Sequence, residues 1–533
     1  MFARSPNRRA LFRAAFSASV GGLAWQALGH TQAMASTPPT GLPRLPAPPE
    51  DAGTWIDPRM AHPLPGTMSI EPLAGRIATE NANKGNTGWD LTIKRAGLYT
   101  GDDVTQQIKG YAAADSVEVG ADITFHVATN VDQTYRMDFF RLGYYGGMGG
   151  RLLRSVTGLR STTRPTWTKD AGTLRVHCGW KPSYTLRIPS TWQSGVYFAL
   201  LTDQRGYRNL VPFVVTDATK ETDILVVLPF TTYQAYNSYP YRPSGGSSYY
   251  LTWGPNKEKR TGLSYFAREV SFDRPYLASG LPNWHFPKDH AFVQWVEAHG
   301  YDVRYASSLD LHQGRVDPSK YRAVVFPGHE EYWSAKMYDF VERARDGGTH
   351  VAFLGANNVY WHVRFESGPR GGQDRSMACY KGFWPDPRPD ANGVTRLWRD
   401  LNRPEHRLLG NHFGWMLAGA PLVVSSADHW LWAGTGVKNG TKIPNMVAVE
   451  VDQHDPRYGV PQGTGFTLLS NSPLTSSDGK SGRQHSAIHT APSGAIVFSA
   501  GTFVWGAGTM HPDYVDSRIQ RATKNLLDRM TAR

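Results

Sequence analysis

From Asp223 onward the chain alternates short apolar runs with segments of helical spacing, and this alternation restricts its fold more than any other feature. DILVVLP (223–229), YDVRYAS (301–307), YRAVVFP (321–327) and THVAFLG (349–355) read as strands with little polar face. Strands apolar on both faces belong to parallel sheets covered on each side. Between them, PKDHAFVQWVEAH (287–299) carries apolar residues at 292, 293, 295 and 296, as on one face of a helix. SAKMYDFVERARDGG (334–348) sets Met337, Phe340, Val341 and Ala344 at helical spacing behind Ser334 as N-cap, and Gly347-Gly348 ends it. MVAVEV (446–451), AIVFSAG (495–501) and a helix near 515–530 are expected to complete an α/β parallel-sheet domain over 218–533. The Gly-, Pro- and Trp-rich segment 362–440 is expected to be an insertion in it.

The preceding residues follow another rule. Over 67–217, DITFHVAT, YRMDFF, TLRIP, GVYFALL and LVPFVVT are short strand-like runs separated by Gly, Pro and Asn, with no helical stretch. They predict an Ig-like β-sandwich, so the fold class is multidomain. RLGYYGGMGGR (141–151) reads as a rigid hairpin loop packed on the next domain. Residues 36–66 hold nine prolines and read as a linker. Residues 1–35 carry Arg4, Arg8, Arg9 and Arg13, no acid, a mildly apolar segment and the small-x-small AMA (33–35). That is the pattern of a twin-arginine export signal, which predicts a periplasmic or secreted protein.

The net charge of +12 is spread without a basic run, so nucleic acid is not an expected partner. No later apolar stretch reaches the length of a bilayer span. Two cysteines 201 positions apart, Cys178 and Cys379, are expected as free structural thiols.

Ligands in open α/β sheets bind beyond the carboxyl ends of the strands. FPGHEEYWS (326–334) and LGANNVYWH (354–362) lie at two successive strand exits, each with a Tyr-Trp pair. In MVAVEV, the neighbours Val447, Val449 and Val451 share one face, so Glu450 points to the other. Two phenols and a carboxylate are hard oxygen donors, and deprotonating phenols of pKa about 10 calls for a strong Lewis acid such as trivalent iron. The same residues also have a structural reading, in which Tyr332 and Tyr360 cap the sheet and Glu450 pairs with an arginine. HExxH, CxxC, a P-loop and a G-x-S-x-G elbow are all absent, and the LGANN turn holds no Cys or Ser where an amidotransferase nucleophile would stand.

GHEEYWS and LGANNVYW resemble signatures of the large (β) subunit family of N,N-dimethylformamidase. The likeness continues in GYAAADSVEVGADI, YRMDFFRLGYYGGMGG, TTYQAYNSY, VSFDRPY and VFSAGTFVWG, in order along most of residues 76–530. The resemblance implies a β-sandwich-like first part and a C-terminal domain like that of class I glutamine amidotransferases. It also implies one ferric iron per chain held by two tyrosines and a glutamate, matching Tyr332, Tyr360 and Glu450. The activity implied is metal-assisted hydrolysis of a small amide at its C–N bond. Glu331 and His329 are the nearest candidates to move protons, or to orient Tyr332. Asn358 is a candidate oxyanion donor, with a plain turn residue as the other reading. A small partner subunit and a homo-oligomer both stay open.

A second reading is a non-catalytic secreted protein that binds a glycan or another ligand, supported by the 12% aromatic content. A hydrolase predicts tightly held metal, and a binding protein predicts an aromatic groove without it.

Overall fold

The computed structural model describes residues 72–282, 285–390 and 393–532. The expected export signal and most of the linker lie outside the described residues. After the short helix α1 (Arg76–Asn81), the first half is built from β1 (Ile108–Ala112), β2 (Asp122–Thr129), β3 (Gln133–Leu142), β4 (Gly150–Ser161), β5 (Tyr184–Arg187), β6 (Gly195–Asp203) and β7 (Tyr207–Thr216). β7, β6, β3 and β4 lie side by side and antiparallel, and β1, β2 and β5 form a second antiparallel sheet. Alternation along the strands gives both sheets an apolar face. Phe125 and Val127 of one meet Tyr135, Phe139, Tyr197 and Phe213 of the other in one buried cluster.

The second half carries α2 (Phe230–Tyr236), α3 (Phe286–Ala298), α4 (Ala335–Asp346) and α5 (Ser517–Thr531). Its sheet is made of β8 (Ile224–Leu228), β9 (Val303–Ser307), β10 (Ala323–Phe326), β11 (His350–Phe353), β12 (Thr464–Leu468), β13 (Ala487–Thr490) and β14 (Ile496–Ser499). The order is β9-β8-β10-β11-β14-β13-β12; the first five are parallel, and β13 and β12 add an antiparallel edge. Ser334 caps α4, its hydroxyl accepting from the Met337 amide. Among the described residues no helix is long and apolar enough to cross a membrane. Cys178 and Cys379 are buried and form no disulfide.

Two expectations are corrected. MVAVEV does not join the main sheet. It lies in Lys442–Gln453, which pairs antiparallel with His412–Val423 in a separate two-stranded ribbon. The chain leaves the sheet after β11 and returns at β12, and the segment 362–440 falls wholly within that excursion. An apolar run states that it is buried, not which strand it pairs with. Nor is α3 buried on one face only: nearly all of its residues are enclosed. On the side of the first half, Phe198 packs on Phe286 and Trp89 on His290, while Arg141 forms a fully buried bidentate pair with Glu297, 2.8 Å at each oxygen.

Candidate functional site

β10 and β11 are adjacent and in register, Phe326 opposite Phe353, so both exits open at the same end of the sheet. Beyond them the two turns touch. A Cβ on Gly355 would sit 2.4 Å from the Gly328 carbonyl oxygen, so the approach requires glycine. The Val359 amide donates to the Glu330 carbonyl at 2.7 Å, and the amides of Tyr360 and Trp361 donate to that of Glu331. Asn357 and Val359 both adopt left-handed backbone, φ 53° and 55°. For a β-branched valine that conformation is strained, and strain of this kind gathers at functional turns.

His329, Glu331 and Glu450 come together here. The His329 Nδ1 bonds the Ala356 carbonyl at 2.6 Å, which fixes Nδ1 as the donor. Its Nε2 lies 3.1 Å from Glu331 Oε2 and 3.1 Å from Glu450 Oε2. Burial alone would lower this imidazole, but Glu450 and Glu331 outweigh it and raise it to about 9. The two carboxylates diverge. Burial pushes Glu331 up, yet the hydrogen bond and charge of His329 bring it below the usual range. Burial and the negative charge of Glu331 leave Glu450 raised. Asn357 Nδ2 donates to Glu450 Oε2 at 2.8 Å, and Glu450 Oε1 makes no hydrogen bond within the described residues. The rings of Phe503 and His285 stand 5.0 and 5.6 Å from that of His329.

Two tyrosines that the sequence reading did not single out converge on Glu331. Tyr250 donates to Oε1 at 2.6 Å and Tyr236 to Oε2 at 2.9 Å. Tyr236 ends α2, and Tyr250 stands in the loop after it. Of the expected ligands, Tyr332 is fully buried and its hydroxyl meets that of Tyr250. Tyr360 is half-buried against Phe413, with the Arg399 guanidinium 5.3 Å over its ring. Its hydroxyl makes none of the hydrogen bonds of this network. The two Tyr-Trp pairs are therefore not equivalent: Tyr332 registers with Trp361, one position beyond Tyr360. Asn358 braces the turn, its Oδ1 accepting from the Glu330 amide at 3.0 Å. Its neighbour Asn357 is the amide that reaches a site carboxylate.

Glu450 is buried, but not by the simple alternation that set it opposite the three valines. Val449 adopts left-handed backbone, φ 67°, beside a break in register with the partner strand. Val447 and Val451 are buried while Val449 is only partly so. Between the Val449–Leu417 and Val447–Ala420 pairs the partner strand carries one residue more, and the left-handed turn at Val449 takes the following Glu450 off simple alternation.

The donor set fits a hard cation. Burial drives the phenols of Tyr236, Tyr250 and Tyr332 well above 10, and Glu331 adds to this. Without a bound cation all three stay protonated, Tyr236 and Tyr250 donating to Glu331 while Tyr332 meets the Tyr250 hydroxyl. A trivalent ion in their place would be balanced by two phenolates and one carboxylate. Among the described residues no group of three or more His, Cys, Asp or Glu is arranged to hold a metal.

Residues 136–516 match the family model described as N,N-dimethylformamidase beta subunit-like, C-terminal. The N,N-dimethylformamidase beta subunit of an Alcaligenes species is 21% identical over 415 residues, covering 66% of this chain and 54% of that protein. That of Paracoccus aminophilus is 21% identical over 304 residues, covering 50% of this chain and 40% of that protein. The chain thus spans about half the length of the curated relatives it matches. Among solved structures, superoxide reductase (neelaredoxin) from Ignicoccus hospitalis superposes with a TM-score of 0.15 at 13% identity, covering 23% of this chain and 99% of that one, too little to bear on the fold. The match over 136–516 takes in every residue of the site above, and the chain belongs to the N,N-dimethylformamidase beta subunit-like family.

Proposed function

We propose that the protein hydrolyses a C–N bond of a small amide with the help of one hard metal ion, iron by preference. The observation that carries this reading is the convergence of the Tyr236 and Tyr250 hydroxyls on the two oxygens of Glu331. These three residues are the ligand set we favour. Tyr332 stands behind them through Tyr250, and the set of Tyr332, Tyr360 and Glu450 remains the competing assignment. A ferric ion bound there supplies Lewis acidity toward an amide carbonyl.

The chain's own groups do the rest. Glu450, a stronger base than a free carboxylate because of its burial and the charge of Glu331, takes the proton of the attacking water at Oε1 and returns it to the departing amine nitrogen. Asn357 and His329 hold the other oxygen of Glu450 and so aim Oε1. The rings of Phe503 and His285 pack on each other and on His329 beside these groups. General acid–base help of this kind contributes about 10²–10⁴-fold.

The paired Arg8-Arg9 supports export as a folded, metal-loaded protein. The strand pattern supports an Ig-like first domain and an amidotransferase-like second one. Elemental analysis with a visible spectrum tests the site: about one iron per chain and a phenolate-to-iron band are expected, with amine release from small N-substituted amides. Folded protein that takes up no iron and releases no amine would sink the proposal.

A further inference from the structure

The stretch VSFDRPY (270–276) has no role in the chemistry above, yet its arginine is built into the base of the site. Arg274 is 1% exposed and forms no ion pair among the described residues. Its guanidinium ends instead on oxygens of two segments. Nη1 donates to the Ser247 carbonyl at 2.9 Å, Nη2 to the Gln234 carbonyl at 3.2 Å, and Nε to Gln234 Oε1 at 3.4 Å. Burying a cation without a carboxylate is costly, and burial lowers this guanidinium to about 10. A planar fork with several fixed donors can bridge two strands of backbone where a lysine cannot.

Those segments are the ones that carry the two phenols. Gln234 lies two residues before Tyr236 in α2, and Ser247 three before Tyr250. Fourteen positions separate the tyrosines, and the intervening loop is not helical. Three further bonds join the same knot: Asn237 Nδ2 donates to Gln234 Oε1 and to the Pro275 carbonyl, and the Tyr249 amide donates to the Ala235 carbonyl at 3.1 Å.

We propose that Arg274 is the positioning residue that sets the spacing of Tyr236 and Tyr250 over Glu331, an inference that rests on those phenols forming the site. It acts through the Gln234 and Ser247 carbonyls and touches neither metal nor substrate. Displacements near 1 Å in a supporting shell are enough to loosen a site.

The test has a metal-free arm and a loaded arm. In metal-free protein, Tyr250→Phe is made in the wild type and in Arg274→Met, and urea midpoints are compared. Sites that do not communicate give additive shifts. The expected result is that the midpoint shift from Tyr250→Phe shrinks by half or more once Arg274 is gone. In ferric-loaded protein, Arg274→Met and Arg274→Lys are expected to move the phenolate-to-iron band, while Arg208→Met, at a buried arginine of β7, lowers stability and leaves the band in place. Arg274→Gln replaces the methionine variant if that does not fold. Additive midpoints together with an unmoved band overturn the proposal. A wild type that binds no ferric ion refutes the metal reading instead, and the metal-free cycle then decides Arg274 alone.

Discussion

The rings of Tyr236 and Tyr250 stack with centroids 4.2 Å apart, and their hydroxyls end on different oxygens of the one carboxylate of Glu331. Two phenol donors on one buried acid make a compact oxygen set from three residues, whereas Tyr360 faces Phe413 and Arg399. Tyr236→Phe and Tyr250→Phe are each expected to lower iron affinity by more than the roughly 10–100-fold typical of losing a supporting group. Tyr360→Phe is expected to keep both iron and band. Iron content after dialysis, with visible spectra of the three variants, checks this; loss of iron in Tyr360→Phe alone would restore the Tyr332–Tyr360–Glu450 assignment.

Glu450 separates proton transfer from metal holding. Glu450→Gln keeps the size of the side chain but cannot take a proton. It is expected to lower kcat by about 10²–10⁴-fold with iron content unchanged. Steady-state amine release and metal analysis on one preparation check it. Iron lost along with activity would place Glu450 among the ligands.

The two strand exits were legible in the sequence because apolar runs followed by Gly, His and Asn mark strand ends, and a shared sheet end follows from parallel order. Tyr236 and Tyr250 were not legible. One ends a short helix and the other stands in an irregular loop, and a common distance to Glu331 exists only after β8, β10 and the Arg274 knot are in place. The direction of Glu450 was read for an incomplete reason. The valine alternation suggested its direction, but left-handed Val449 breaks that alternation, and a bulge has no period to read. The enclosure of α3 likewise depends on the first half packing against it, which its own apolar spacing cannot express.

The Arg141–Glu297 pair ties that first half to α3, whose N-terminal end carries His285 beside the site. Both side chains are fully buried. Arg141→Met leaves Glu297 an uncompensated charge, although Asn81 Nδ2 still donates to it at 2.8 Å. The expected loss is about 3–5 kcal/mol, the cost of breaking a buried pair from one side. Urea unfolding measures it; a loss below about 1 kcal/mol would mean that water reaches the pair.

Acid sensitivity has a local source in His489, on β13. It is 2% exposed, and among the described residues neither ring nitrogen has a hydrogen-bond partner. Burial first, and the charge of Arg345 second, hold its pKa at about 4. The imidazole of an unfolded chain titrates near 6.5 (about the model-peptide value). As pH falls from about 6.5 to 4, the unfolded state takes up a proton that the folded state refuses, so stability present above pH 6.5 is lost on acidification. The single residue contributes about 3 kcal/mol of this loss. His489→Leu cannot titrate. The difference in urea midpoint between about pH 7.5 and 4.5 is therefore expected to be smaller in the variant than in the wild type. Equal differences in the two proteins would mean that His489 is protonated inside the fold, and that β13 admits water to its ring.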